Sequence, residues 1–355
     1  MKKLLKHTDL IVTLLLVGMA VVALTSPYVD PAKNWLYAFF ALVFPWLYGA
    51  NFLLFIYWLL RLLFKRKNRR LSILFPLVIL VWGWLTPARV YRYNFFAQAA
   101  PNQPIVRVMS YNTHALRGFR GTNNKLEQDF QQFLSTHKPD VMLCQETSRT
   151  IAKYLADSLH YNHTVNKSKL SIGTAIISKY PIIKYDLQRF YKSGNSYTWA
   201  DIKIKNDTIR FFSLHLQSNA ISLETQKLSE DSDLKKPKTW SRIRRIFALY
   251  RMTAKQRTAQ ATEVKQLAQK SPYPVVFCGD FNDPALSNTY HILSENKIDS
   301  FTERGKGTGT TYPGMSLNLR IDYILVPNSF KILNHKVLHV PFSDHYPIMT
   351  DITWF

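Results

Sequence analysis

Four carboxylic acids sit at the ends of, or inside, apolar runs. Glu146 closes VMLCQE, Asp280 closes VVFCGD and opens GDFNDP, Asp322 lies inside RIDYILV, and Asp344 precedes His345 in SDHYP. A carboxylate near a core is costly unless it is paired, hydrogen-bonded or bound to a cation. One such acid is ordinarily a structural ion pair. Four of them at strand ends, alongside Asn112, His215 and Asn282, imply convergence on one site. Oxygen-rich, cysteine-free ligands suit Mg²⁺ or Mn²⁺ better than Zn²⁺. Such a set can hydrolyse a phosphate ester. A cation neutralises charge on the phosphate, imidazoles and amides donate hydrogen bonds, and a carboxylate takes a proton from water.

Other residues read as structural. His114, His160, His163 and His291 have no metal-like spacing and read as surface or core histidines. Cys144 and Cys278 each end an apolar run and read as buried strand residues, since free cysteine packs as a small hydrophobe. SDH resembles part of a Ser-His-Asp triad, but neighbouring strand residues face opposite ways, which argues against Ser343 as a nucleophile. GKGTGTTYPG lacks P-loop spacing and reads as a flexible loop, with Tyr312 bordering the substrate cleft.

The elements that must position these residues are short β-branched and aromatic runs. Strands are predicted at 105–111, 141–145, 174–178, 198–204, 209–216, 275–278, 321–326 and 346–352. Leu126, Phe130, Phe133 and Leu134 recur at helical spacing, and a second helix is predicted over 253–269. Many strands with few helices imply stacked sheets flanked by helices. Residues 220–250 stand apart, acidic first and then basic with apolar interruptions. They read as a solvated insertion or, where Trp240, Ile243, Ile246, Phe247 and Tyr250 recur, as an amphipathic basic element.

Composition is uneven along the 355 residues. The formal net charge is +23, of which residues 1–100 supply +10 (12 basic, 2 acidic) and the remainder +13 (34 basic, 21 acidic). That balance attracts phosphates, nucleic acid or anionic membrane faces without choosing among them. Three uncharged stretches, 10–29, 34–60 and 71–88, are each close to the roughly 20 residues a membrane-spanning helix needs. Basic residues precede the first stretch (Lys2, Lys3, Lys6) and crowd the loop between the second and third, whereas Lys33 is alone between the first two. The N-terminus and the 61–70 loop are therefore expected in the cytoplasm of a plasma or inner-membrane protein. Three crossings would place everything after residue 88 outside, in the periplasm of a double-membrane bacterium. The expected organisation is a membrane anchor over 1–100 and a catalytic domain over 101–355, with Pro101 and Pro104 marking the linker.

The order SYNTH, PDVMLCQE, GTAIISKYPI, FSLHLQS, VVFCGDFNDP, RIDYILV, FSDHYPI resembles the endonuclease/exonuclease/phosphatase superfamily. The likeness covers nearly all of 105–355 and none of 1–100. It implies an α+β, four-layer α/β/β/α sandwich, two packed mixed sheets with helices outside, here preceded by three transmembrane helices. It also implies roles. Glu146 matches the metal-ligating acid, Asn112 the polar residue beside it, and Asp344 an acid near the metal. His345 matches the histidine on the scissile phosphate, and Asp322 the aspartate orienting it. Asp280 matches the carboxylate proposed to activate water. Asn282 and His215 match groups that hold or stabilise the phosphate, and Asn112 and Tyr312 would also face substrate. Which of Asp280 and His345 is the base stays open. The expected partners are a phosphate-ester substrate, either nucleic acid or a phospholipid headgroup, and the lipid bilayer. A catalytically inactive binding module is the rival reading, and loss of Glu146, Asp280 or His345 would mark it.

Overall fold

The computed structural model describes residues 8–64, 70–86, 91–92, 105–117, 124–165, 172–219, 233, 236–314 and 318–354. Lys2, Lys3, Lys6, residues 65–69, Arg89, Pro101, Pro104 and the acidic half of 220–250 apart from Asp233 lie outside the described residues. The chain divides into two compact units, residues 1–90 with 284–291, and residues 91–283 with 292–355.

The first unit holds helices α1 (Thr8–Thr25), α2 (Trp35–Leu42), α3 (Phe44–Leu63) and α4 (Leu74–Leu85). Small residues on α1 and α2 (Ala20, Ala23, Ala41) let these helices pack with Phe44, Leu47 and Ile79. Polar groups inside are paired. Trp58 donates to Thr13 Oγ1 at 3.0 Å, and Arg61 pairs with Asp9. Much apolar surface stays uncovered, as at Leu15, Leu53 and Val78.

Two helices, not the three expected, are long and apolar enough to cross a membrane, Thr8–Tyr28 and Phe44–Leu63. Prolines account for the difference. Pro45 lies in the first turn of α3 and interrupts the 34–60 run at Val43, because its ring cannot continue the preceding helix. Pro87 follows Thr86, whose extended backbone (φ −89°, ψ 162°) ends α4. The third apolar helix is thus the shorter Leu71–Leu85, including a 3₁₀ turn at Arg70–Ile73.

The second unit is built on two six-stranded mixed sheets. The first has the order β11-β12-β1-β2-β4-β3, and the second β5-β6-β7-β8-β10-β9. In the first sheet the strands are β1 (Val106–Asn112), β2 (Val141–Thr147), β3 (His163–Val165), β4 (Gly173–Ser178), β11 (Phe330–Val337) and β12 (Ile348–Trp354). In the second they are β5 (Ile182–Arg189), β6 (Ser196–Ile204), β7 (Asp207–His215), β8 (Val275–Asp280), β9 (Lys297–Asp299) and β10 (Asp322–Pro327). Side chains alternate across each strand. Val106, Val108, Leu143 and Ile176 face Ala200, Phe211, Val276 and Ile324 in one core between the sheets. The other face of the first sheet, with Met109, Tyr111 and Met142, packs on α5 (Asn124–His137) and α6 (Arg149–Leu159). Cys144 and Cys278 are buried free thiols in different clusters.

All eight predicted strands are present, with ends shifted by a few residues. Helix α5 matches its predicted spacing. The helix predicted over 253–269 is longer, α7 (Pro237–Gln269), and takes in the basic half of the 220–250 segment. Sequence patterning missed β3, β5, β9, β11 and α6.

Each sheet has one parallel pair, β1–β2 and β7–β8. At Gly279 the backbone adopts φ +140°, and a Cβ there would lie 2.0 Å from the Leu214 carbonyl oxygen of β7. Only glycine tolerates that approach. Gly279→Ala should destabilise the protein by about 2 kcal/mol or more, the scale of backbone strain plus overpacking. A thermal-unfolding midpoint within a degree of the parent would show that the two strands separate without penalty.

Candidate active site

The parallel pairs bring four strand ends to one edge. In β1–β2 the register sets Asn112 beside Gln145, so Glu146 lies one residue further on. Glu146 has φ +48°, and the β2–β4 ladder shifts register between Cys144 and Thr147. In the second sheet His215 pairs with Asp280, and Asp280 pairs across the antiparallel ladder with Asp322. These three therefore stand side by side on adjacent strands. Asp344 and His345 come from the connection before β12, where Ser343 Oγ donates to the Asn112 carbonyl at 2.8 Å.

The side chains form one network. Asn112 Nδ2 donates to Asp280 Oδ2 at 3.0 Å and to Glu146 Oε1 at 3.3 Å. In this orientation its amide nitrogen faces the carboxylates, and its oxygen accepts from the His114 backbone N–H. His215 Nε2 lies 3.7 Å from Glu146 Oε1 and 3.9 Å from Asp280 Oδ2. His345 bridges two acids, with Nδ1 2.9 Å from Asp322 Oδ2 and Nε2 3.7 Å from Asp280 Oδ2. Tyr312 packs against it, the ring centres 4.8 Å apart. Asn282, in the left-handed region at φ +53°, donates its backbone N–H to Asp280 Oδ1 and its amide to the Leu216 carbonyl. That arrangement orders the loop after β8.

Electrostatics separate the roles of the acids. Burial pushes Asp280 up to about 7, and the Asp322 charge adds to it. Burial works against a charged His345, but Asp322 and Asp280 outweigh it and lift its pKa up to about 10. His345 is thus the cation of a carboxylate–imidazolium–carboxylate row. Burial also opposes charge on Glu146, yet His215, Asn112 and His114 hold that carboxyl below its ordinary range. His215 is lowered by burial against the pull of Glu146.

Two groups of residues could hold a metal. Ligand atoms of Asp280, Asp322 and His345 lie within 4.8 Å of one another. Asp322 and Asp280 raise the His345 pKa, which favours a proton on the imidazole in that group. The other group is Glu146 with Asp344, whose oxygens lie 3.3 and 3.6 Å from the same atom, His114 Nδ1. Among the described residues no lysine or arginine forms a salt bridge with Glu146, Asp280, Asp322 or Asp344; their ionic partners are histidines. Oxygen ligands without a lysine or arginine partner among the described residues fit a hard divalent cation.

His114 is the residue that spacing missed. It lies two positions after Asn112, inside SYNTH, which was its available signal. Support from behind was also not legible. Arg257 of α7, fully buried, pairs with Asp283 at 3.1 Å and donates to the Gln217 carbonyl. Gln260, one helical turn on, accepts from the Gln217 backbone N–H. Thr311 Oγ1 accepts from the Ile321 and Asp322 backbone N–H groups. Of the other histidines, His160 closes α6 in left-handed conformation away from the cluster.

Residues 109–345 match the Endonuclease/Exonuclease/phosphatase family. The chain belongs to that family. Residues 2–90 match a second family, described as a domain of unknown function (DUF8431). No curated protein matches the chain. Among solved structures, an endonuclease/exonuclease/phosphatase from Beutenbergia cavernae is 18% identical with a TM-score of 0.51, over 70% of this chain and 72% of that one. D. rerio TDP2 complexed with single-strand DNA product is 17% identical with a TM-score of 0.51, over 70% of this chain and 99% of that one. These likenesses establish the shared sandwich fold of the endonuclease/exonuclease/phosphatase family.

Asp280→Asn, His345→Ala and Glu146→Gln should each lower turnover at least roughly a hundredfold, the scale of lost acid–base or electrostatic catalysis. Steady-state assays on folded variants test this. Near-normal turnover by Asp280→Asn would remove that carboxylate from the chemistry.

Proposed function

We propose that this protein is a membrane-anchored, divalent-cation-dependent hydrolase of phosphate ester bonds, a phosphodiesterase of the nuclease type. The observation that carries the reading is His345 held between Asp322 and Asp280, with the carboxylates of Glu146 and Asp344 converging beside His114. Asp280, near neutrality, accepts a proton as a water oxygen attacks phosphorus. The ester P–O bond breaks on the opposite side. His345 donates a hydrogen bond to a phosphate oxygen, and Asp322 acts by positioning it. His215, with Nε2 3.7 Å from Glu146 and 3.9 Å from Asp280, supplies a further donor. A divalent cation held by Glu146 and Asp344, with His114 beside them, would supply positive charge toward the phosphate and leaving oxygen.

The formal charge of +23 favours a polyanionic substrate such as nucleic acid. The apolar helices favour a second reading, a phospholipid-headgroup phosphodiesterase or phosphatase. A membrane-fixed site meets lipid at high effective concentration. A panel of DNA, RNA, nucleotides, phosphatidylinositol phosphates and sphingomyelin separates these classes. Activity on the true substrate should vanish after metal removal and return with Mg²⁺ or Mn²⁺. Full activity in excess chelator, once bound metal is gone, would sink the cation-dependent mechanism.

Anchoring rests on the two helices long and apolar enough to cross, with Leu71–Leu85 as a short third element. We place the catalytic unit outside the cytoplasm. The 61–70 segment carries six basic residues, which resist translocation, so the following helix would cross outward. At about 1.5–2 Å per residue this helix reaches roughly 25 Å, a few ångströms short of a bilayer core. Bilayer thinning meets such a mismatch at fractions of a kcal/mol per ångström. A reporter active only when exported, fused after Phe355, should be active. Cytoplasmic signal from the fusion would mean that the chain crosses twice and the catalytic unit stays inside.

A further inference from the structure

The catalytic cluster lines none of the cavity of about 840 Å³ found along the free edge of the first sheet. One wall of this groove is the GKGTGT loop after the short helix α8 (Ser300–Arg304), and the other is β11 with the residues that follow it. The loop is an ordered part of the fold. Gly307 exchanges both backbone hydrogen bonds with Arg92, and Gly307 and Gly309 take φ +78° and +69°. Gly309 must be glycine for a second reason, because a Cβ there would meet the Phe301 ring at 2.5 Å.

Basic side chains outnumber acidic ones along the groove. Arg304 and Lys306 come from the loop side, and Lys336 and His339 from the β11 side. Lys306, Lys336 and His339 are exposed. Asp351 is the one carboxylate in the lining, and Arg107 already pairs with it at 2.8 Å. Leu333, Val337 and Leu338 contribute an apolar portion. His335 lies in the same lining and is buried. Its Nδ1 is 2.9 Å from Ser300 Oγ, while its buried Nε2 has no hydrogen-bond partner among the described residues. Burial pushes its pKa down to about 4, so at neutral pH it is an uncharged imidazole. With Nδ1 accepting from Ser300, Nε2 carries a proton to donate. A buried donor left without a partner costs about 1–3 kcal/mol, which a bound acceptor would relieve.

We propose that this groove is a second binding site, separate from the catalytic cluster, for a phosphate-bearing anion held between Lys306 and Lys336. Two lysines on opposite walls suit a phosphate as point charges. The ligand is either a soluble phosphate compound or a lipid carrying a phosphate headgroup, and both present the same anion.

The test is protection of lysines from amine acetylation, read by peptide mass spectrometry. The full-length protein is reconstituted in phosphatidylcholine bicelles, with inorganic pyrophosphate or with phosphatidic acid added to the bicelles. Sodium chloride at matched ionic strength is the reference, and exposed Lys184 on β5 is the internal control. Lys306 and Lys336 should be protected together while Lys184 is not. Protection by pyrophosphate identifies a soluble ligand, and protection by phosphatidic acid alone a lipid-linked one. Protection by neither, or equal protection of Lys184, overturns the site. In the Lys306→Glu variant, half-protection of Lys336 should require at least roughly tenfold more ligand, a loss of about 1.4 kcal/mol. An unchanged half-protection concentration would show that the two lysines share no ligand. The readout is independent of turnover, so it stands or falls separately from the hydrolase reading.

Discussion

Two carboxylates, Asp280 and Asp322, face each other across neighbouring strands in a site almost without water. Left alone, this pair would be unstable, since desolvation and mutual repulsion both oppose two negative charges. The imidazolium of His345 between them resolves the conflict. It bonds Asp322 closely and Asp280 loosely, so the two acids are not equivalent. One becomes the fixed partner of the histidine. The other is left near neutrality, where it can exchange a proton. An aspartate with tunable protonation and a histidine with fixed charge follow from the same three-residue row.

The sandwich exists in a form that keeps this row in place. Its parallel strand pairs are central in each sheet, so the ends that carry Asn112, Glu146, His215 and Asp280 are braced on both sides. The loop beyond β8 is held from behind by Arg257, a fully buried cation that reaches both Asp283 and the Gln217 carbonyl. Replacing a side chain there acts on loop position without touching the reacting groups. The close approach at Gly279 serves the same end, because it sets the spacing between the strand of His215 and the strand of Asp280.

How much of this was legible follows from what each residue must do. Acids at the ends of apolar runs stand out because sequence otherwise keeps charge away from such runs, and Glu146, Asp280 and Asp322 were visible for that reason. His114 was not, since a single histidine after a strand has no pattern of its own. The four strands that went unrecognised, β3, β5, β9 and β11, are the four edges of the two sheets. Edge strands are shorter or more polar, partly to discourage pairing with other chains, and this weakens the apolar alternation that reveals a strand. Residues of β5 such as Lys184 and Gln188 illustrate the point. Helix α6 begins at a Ser148 cap whose hydroxyl accepts from Ile151, a signal present in the sequence but passed over. The apolar runs near the N-terminus read longer than the helices they form, because hydropathy does not register what Pro45 and Pro87 do to a backbone.

Strand β12 occupies an unusual place for the final strand of this chain. It lies between β11 and β1, the first strand of the sandwich, and it directly follows Asp344 and His345. During synthesis, Asn112, Glu146, His215 and Asp280 all leave the ribosome long before this strand does. Until residues 345–354 have emerged, nothing joins β11 to β1 in the first sheet, and the buried acids lack His345. Such long-range closure is a slow step in folding. A nascent chain that stops short of those residues would carry Asp280 and Asp322 without His345 between them. The row of Asp322, His345 and Asp280 is complete only once residues 345–354 are in place.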